Sequence, residues 1–176
     1  LKNPYGPSEC TPTSTIATIR PDDDDSKISS IGRGLGVNTW VVDSENEGIL
    51  VPIGQVGELL LEGHLLGNGY LNDQTKTTAA FVNNPLFLLN GGDGPGQPGR
   101  RGRLYKTGDL VRYEKDGSLT FIGRKDRQVK INGQRVELGD IEHHIYRHIP
   151  HGTVSVRQIA AEIISPKTGS NAVLAA

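Results

Sequence analysis

Apolar and β-branched residues gather in short runs broken by glycine and proline, and only one stretch has helical spacing. Val37–Asp43 (VNTWVVD) and Gly57–Glu62 (GELLLE) read as strands, with Gly54 and Gly57 punctuating the interval. Leu110–Glu114 and Ser118–Ile122 enclose Lys115-Asp116-Gly117, and Gln128–Ile131 and Arg135–Leu138 enclose Asn132-Gly133. Asp-Gly and Asn-Gly between apolar-rich runs predict hairpins, because both central positions of a type I′ turn need positive φ. After Gly139 the period changes. Ile141, Ile145 and Ile149 recur at i, i+4 and i+8 behind an acidic start at Asp140 and Glu142, and Pro150 with Gly152 ends the pattern. That run predicts a short amphipathic helix. Thr153–Ile164 reads as one or two further strands, and a short helix is expected near Thr75–Val82. Pro21–Asp25 (PDDDD) reads as a solvated turn, its carboxylates lacking the spacing of a cation loop. Asn90–Arg103 carries six glycines and two prolines and is too poor in apolar groups to order itself. No repeat of 20 to 50 residues is visible.

Composition narrows this picture. The 176 residues are 35% apolar and 5% aromatic with 23 glycines, which suits a turn-rich domain with a modest core. Nineteen basic against 20 acidic residues exclude a basic coat or an acidic tail as a whole-chain description. The charge is nevertheless divided: residues 1–99 hold 5 basic and 12 acidic side chains, and 100–176 hold 14 and 8. An anion would be received in the second half. The excess between Arg100 and Arg135 is interleaved with Tyr105, Tyr113 and Phe121, which suits a nucleotide, a phosphorylated carrier or single-stranded nucleic acid as well as a solvated sheet face. The single Cys10 forms no internal disulfide and no signal segment opens the chain, so a reducing, cytoplasmic setting is expected. No apolar run approaches the roughly 18 to 20 residues of a membrane span. Methionine is absent, from which the chain is expected to be a piece of a longer protein.

Four segments carry candidate chemistry: Asn3–Glu9 (NPYGPSE), Gly57–Leu71 (GELLLEGHLLGNGYL), Tyr105–Leu110 (YKTGDL) and Gly123–Glu142 (GRKDRQVKINGQRVELGDIE). The first combines an aromatic face, a Gly-Pro turn that lets a ligand approach the backbone, a hydroxyl and a carboxylate. These are the parts of a nucleotide and magnesium site. In the third, Thr107-Gly108-Asp109 is expected to set an acceptor carboxylate at a tight turn, suited to two ribose hydroxyls. Read singly, Tyr5 could be a packing aromatic, Glu9 and Asp109 turn acceptors, Arg124 a surface cation, and Asp126 an ion-pair partner of Arg124 or Arg127. His144 and His148 stand four apart among His143 and His151, but with no third ligand nearby they read as a solvated helix face. Cys10 has no neighbouring His or Lys in sequence and reads as a packing residue.

In this order and spacing the four segments closely resemble the adenylation domains of nonribosomal peptide synthetases, within the adenylate-forming superfamily that includes acyl-CoA synthetases and luciferases. Pro7, Asp126 and the QVKINGQRVELGDIE run favour the peptide-synthetase branch over the acyl-CoA ligases, and the loops are similar to fungal examples. The resemblance implies a mainly β fold with an α+β C-terminal part. Residues 1–123 would be the end of the large lobe, dominated by an antiparallel β-barrel subdomain. Residues 124–126 would be a hinge, and 127–176 the start of a small α+β lid.

The resemblance also implies roles. Tyr5 would stack on adenine while Asn3 bonds its amino edge, and Gly6 belongs to the same nucleotide segment. Ser8 would face the α-phosphate and Glu9 would help hold Mg²⁺. Asp109 would accept both ribose hydroxyls, Phe121 would pack near the nucleoside, and Arg124 would reach ribose or phosphate. Asp126 matches the hinge, and Asn132-Gly133 would line the pantetheine tunnel. Pro4, Pro12 and Thr13 match positions of the side-chain pocket, too few to name the amino acid. ATP, Mg²⁺ and the phosphopantetheine of a partner peptidyl carrier domain are the implied cofactors.

The family's phosphate loop and closing catalytic lysine are absent from these residues, and Lys167 in SPKTGS does not match that lysine's motif. The chain alone is therefore expected to be inactive. Two other readings stay open on the sequence: an aryl or fatty acid adenylate-forming ligase, and a noncatalytic module binding nucleic acid through 100–135, the latter disfavoured.

Overall fold

The computed structural model describes all residues except 24–26, 92–95, 97, 127, 132–133, 149–158, 165–172 and 176. They fall into two compact units, Leu1–Lys125 and Asp126–Ala176.

The first unit is built on an eight-stranded antiparallel sheet. Its strands are β1 (Lys2–Tyr5), β2 (Thr15–Thr18), β3 (Ser30–Gly34), β4 (Asn38–Val42), β5 (Val56–Glu62), β6 (Phe81–Asn83), β7 (Arg103–Tyr113) and β8 (Leu119–Arg124). They pair in the order β1-β2-β3-β8-β7-β5-β4, with β6 added to β7. Two short helices, α1 (Gln74–Ala80) and α2 (Leu86–Leu89), flank β6. Asp73 caps α1 by accepting the Lys76 amide at 2.8 Å, and the β-branched, aromatic Phe81-Val82 pair then favours extended chain. The helix expected over Thr75–Val82 is thus cut short by a strand.

Leu59, Leu60 and Leu61 explain why β5 sits inside. Successive strand side chains point to opposite faces, so Leu59 and Leu61 join Cys10, Ile31, Val41, Val111 and Leu119 in one core, while Leu60 joins Val42, Phe87, Leu88 and Leu104 in another. All three leucines are fully buried. Each such burial stabilises the fold by about 1.5–3 kcal/mol. A strand covered on both faces reads as a continuous apolar run, which is the pattern seen in the sequence.

β7 departs from the expected picture. The strand predicted to start at Leu110 is 11 residues long and starts at Arg103. Thr107-Gly108-Asp109 is therefore not a tight turn. Glu58 pairs with Leu110 and Leu60 with Lys106, so Thr107, Gly108 and Asp109 stand opposite Leu59 alone in an enlarged bulge. Gly108 takes φ 71, which a residue with a Cβ reaches only with strain. β1, β2 and β3 were likewise not expected, since their glycines, prolines and polar positions mask alternation.

The second unit holds a hairpin of β9 (Gln128–Ile131) and β10 (Gln134–Glu137), then α3 (Leu138–His148), then the antiparallel pair β11 (Glu162–Ile164) and β12 (Val173–Ala175). The Asn132-Gly133 turn itself lies outside the described residues. The Glu142 carboxylate accepts the Ala161 amide at 2.7 Å, tying the approach to β11 to the helix. His143, His144 and His148 are exposed on α3, and a His148 ring nitrogen bonds the His144 carbonyl at 2.8 Å. Among the described residues no three His, Cys, Asp or Glu gather as a metal cage.

Candidate functional site

The N-terminal segment is folded back on itself by a glycine. A Cβ on Gly6 would lie 2.7 Å from the Ser14 amide nitrogen and 2.9 Å from the Pro12 carbonyl, so only glycine permits the re-entrant path. The Ser14 amide bonds the Tyr5 carbonyl at 2.7 Å across it. Beyond Pro7 a single 3-10 turn, Ser8–Cys10, turns Ser8 out to solvent and buries Cys10 completely. Burial raises the Cys10 thiol above its ordinary pKa, which makes it a poor nucleophile. The Asn3 amide donates to the Ser30 carbonyl at 2.8 Å, fixing that side chain. Pro4 and Pro12 are exposed and Thr13 is half-buried.

The bulge in β7 meets this segment. Thr107 Oγ1 donates to the Leu59 carbonyl at 2.8 Å and receives the Asp109 amide at 3.0 Å, so the hydroxyl takes the place of ladder bonds lost to the bulge. Asp109, 7% exposed, is thereby aimed at β1 and β8. One carboxylate oxygen accepts the Tyr5 hydroxyl, and the other accepts Arg124 Nη1 at 2.8 Å. Arg124 also donates to the Thr107 carbonyl at 2.8 Å. Burial first, then the Asp109 charge, pushes the Tyr5 phenol far above its ordinary pKa, so it remains a donor. Phe121 packs half-buried against the same core as Tyr5. Three residues from three separated motifs, Tyr5, Asp109 and Arg124, thus form one contact.

A second carboxylate lies on the same segment. Glu9 Oε1 accepts the Tyr70 hydroxyl at 2.6 Å, and the Glu9 carbonyl accepts the Gly67 amide at 2.7 Å. Tyr105, 3% exposed on β7, interacts with both Glu9 and Tyr70. Burial, and after it the Glu9 charge and the Tyr70 phenol, raises its pKa far above the ordinary value. No contact of Tyr70 or Tyr105 with Glu9 was expected; the sequence signals were their presence in two of the four motif segments and, for Tyr105, its place in the basic, aromatic stretch. A hard carboxylate oxygen such as that of Glu9 is the kind of donor that suits Mg²⁺, which is held by one or two carboxylates together with substrate phosphates rather than by a protein cage.

Among the described residues, most cations of the basic stretch are engaged internally. Arg100 clasps Glu62, Lys106 pairs with Glu47 at 3.3 Å, Arg112 with Glu114 at 2.9 Å, and Lys125 with Glu58 at 3.4 Å. Arg103 donates to the Gly67 and Asn68 carbonyls and lies 4.0 Å over the Phe81 ring. Such neutralised cations make a poor track for a polyanion, against the nucleic-acid reading. Two concavities of about 680 and 610 Å³ open elsewhere, and neither is lined by Tyr5, Glu9, Asp109 or Arg124. Asp126 is exposed at the start of the second unit. No helix among the described residues is long and apolar enough to cross a membrane.

Residues 1–71 match the family of AMP-binding enzymes. The chain is 52% identical, over its full length, to nonribosomal peptide synthetase ungA′ of Aspergillus campestris and 54% identical, over 99% of its length, to nonribosomal peptide synthetase 30 of Fusarium vanettenii. It spans only 2% and 3% of those two proteins. Among solved structures it is similar to PA1221, a nonribosomal peptide synthetase protein containing adenylation and PCP domains, with TM-score 0.73 and 30% identity over 98% of this chain and 31% of that one. It is also similar to the Vibrio cholerae adenylation domain AlmE in complex with glycyl-adenosine-5′-phosphate, with TM-score 0.62 and 34% identity over 83% of this chain and 25% of that one.

Proposed function

Because the chain belongs to the AMP-binding enzymes and, within them, is a segment of a nonribosomal peptide synthetase adenylation domain, we propose that its parent condenses an amino acid with ATP to aminoacyl-AMP and pyrophosphate. The acyl group then passes to the pantetheine thiol of a carrier domain, an assignment supported by the carrier domain of PA1221. A cytoplasmic setting agrees with a sequence whose single cysteine, Cys10, calls for no oxidising compartment.

The observation that carries the nucleotide assignment is the Tyr5–Asp109–Arg124 contact. In this reading the Tyr5 ring stacks on adenine and Asn3, its amide fixed by Ser30, bonds the purine edge. Gly6 leaves room for that approach. Asp109 keeps lone pairs on both oxygens after accepting Tyr5 and Arg124, so it can still receive the ribose hydroxyls. Arg124 screens that carboxylate and reaches toward ribose or phosphate, with Phe121 beneath the nucleoside. Ser8 faces the α-phosphate. Magnesium, with Glu9 among its holders, would supply Lewis-acid stabilisation of the charge that develops there. Pro4, Pro12 and Thr13 contribute to the substrate pocket. The division of the chain after Lys125 supports a hinge at 124–126, centred on Asp126, between a large-lobe part and a lid that carries Asn132 and Gly133 to the pantetheine tunnel.

The test uses the full adenylation domain that contains this chain, assayed by amino-acid-dependent exchange of pyrophosphate into ATP. Asp109→Ala removes charge-assisted bonds of about 1.5–3 kcal/mol each, so ATP affinity should fall at least tenfold. The 2′- and 3′-deoxy analogues should bind wild type more weakly than ATP, yet lose almost nothing more in Asp109→Ala. A melting curve separates this from general loss of folding. If Asp109→Ala keeps the parent's ATP affinity, the ribose assignment is wrong.

A further inference from the structure

Glu9 does not sit in its turn by local geometry alone. Its carboxylate is approached from two elements far away in sequence, by the Tyr70 hydroxyl at 2.6 Å and by buried Tyr105 of β7. Tyr70 is itself held on several sides. Its amide donates to Thr77 Oγ1 at 2.9 Å, Lys76 Nζ lies 4.7 Å from its ring centroid, and its ring meets Phe81 edge-on at 6.2 Å. Phe81 in turn packs on Tyr105 at 5.1 Å. The backbone beside Glu9 is fastened to the same region, through Gly67 to the Glu9 carbonyl and through Thr11 Oγ1 to the Leu65 carbonyl at 3.2 Å.

We propose that Tyr70, backed by Tyr105, is a positioning residue that orients the Glu9 carboxylate for the divalent cation accompanying ATP. This rests on the reading of Glu9 as a magnesium-holding residue. A half-buried carboxylate on a short turn would otherwise sample several rotamers, and the entropy of fixing one would be lost each time the cation bound. Each phenol donates a single hydrogen bond, and a carboxylate offers about four lone-pair positions, so bonding to phenols is compatible with binding a cation. Groups that hydrogen-bond to a ligating carboxylate fix its direction, and their removal commonly weakens metal affinity about 10- to 100-fold. The aromatic packing on Phe81 and the cation over the Tyr70 ring make the donor rigid enough for this.

The experiment again uses the full adenylation domain, with Mn²⁺ as a spectroscopic probe titrated by electron paramagnetic resonance in the presence of a non-hydrolysable ATP analogue. Tyr70→Phe removes only the hydroxyl and retains the ring. Its Mn²⁺ dissociation constant should rise about tenfold. Its melting temperature and its affinity for the metal-free nucleotide should stay close to wild type. In turnover, the Mg²⁺ concentration for half-maximal rate should rise while the rate at saturating Mg²⁺ is largely restored. Tyr105→Phe should act in the same direction. A merely structural hydroxyl would lower the melting temperature and leave the metal titration unmoved, and that result would overturn the inference. An increase in metal affinity would overturn it too, since the phenol would then be competing with the cation. Glu9→Gln keeps the two levels apart. If Glu9→Gln loses Mn²⁺ affinity and neither phenylalanine variant does, positioning by the phenols is rejected and the role of Glu9 stands. If Glu9→Gln itself binds Mn²⁺ as wild type does, the underlying reading is rejected together with the inference.

Discussion

Arg100→Ala should destabilise the first unit through Glu62, and the molecule carries its own reporter for the event. Glu62 is 7% exposed and accepts both guanidinium arms of Arg100, Trp40 Nε1 at 3.0 Å and Asn38 Nδ2 at 3.4 Å. These bonds, Arg100 foremost, hold its carboxyl below the ordinary carboxylate range despite burial. Deleting Arg100 leaves the charge buried with two weaker donors. Breaking a buried pair commonly costs 3–5 kcal/mol, but the Arg100 side chain is 35% exposed and solvent screens it, so about 2 kcal/mol is expected here. Trp40 is the only tryptophan in the sequence and packs on Phe87 at 5.0 Å, so urea unfolding followed by its emission reports on this region. The pH dependence fixes the cause. Because the folded pKa of Glu62 is depressed, its contribution is present above the unfolded value of about 4.3 and disappears as pH falls through the folded one. The stability gap between wild type and Arg100→Ala should therefore be largest above about pH 5 and close toward pH 3. Asp23, Glu114 and Asp116 are also depressed by hydrogen bonds, but they are common to both proteins and cancel. A gap equal at pH 7 and pH 3, or a variant within about 0.5 kcal/mol of wild type at pH 7, would refute this account of Glu62.

Two further outcomes are expected. Gly108→Ala forces a Cβ into φ 71 and should cost about 1–2 kcal/mol, while also turning Asp109 away from Tyr5; calorimetry checks the first effect and ATP titration of the parent domain the second. Cys10 should react with a thiol reagent far more slowly in the native chain than in urea, since it is fully buried with a raised pKa; equal rates in both states would show the turn at Ser8–Cys10 to be open.

The parts of the fold that the sequence disclosed are those where pattern and burial agree. The run around Leu59–Leu61 announced a strand, whose burial on both faces the structure then supplied, and Lys115-Asp116-Gly117 announced the β7–β8 hairpin. Arg103–Asp109 was missed because a glycine between two polar residues reads as a turn, whereas here the Thr107 hydroxyl bonds across the bulge and lets the strand continue. β1 was hidden by Asn3 and Pro4, whose partners across the ladder are Ala17 and Ile16. The roles given to Tyr5, Asp109 and Arg124 came from motif chemistry and order, and the Tyr5–Asp109 bond spans 104 residues that no local pattern encodes. The Glu9–Tyr70 bond, 61 residues apart, is of the same kind, with the added difficulty that a tyrosine in a glycine-rich loop looks like a surface aromatic.

β7 grips the N-terminal segment twice, by Asp109 on Tyr5 and by Tyr105 on Glu9, with Pro4 just ahead of that grip and Pro12 and Thr13 just beyond it. For anyone grafting a new specificity into such a synthetase, this strand sets where the seams can fall. A donor fragment that ends before residue 103 brings in a foreign Tyr5 and a foreign Glu9, yet leaves both facing the host's strand. Grafts that carry residues 1–14 and 103–124 as one inheritance preserve both clasps, whereas point changes at Pro12 or Thr13 leave them untouched.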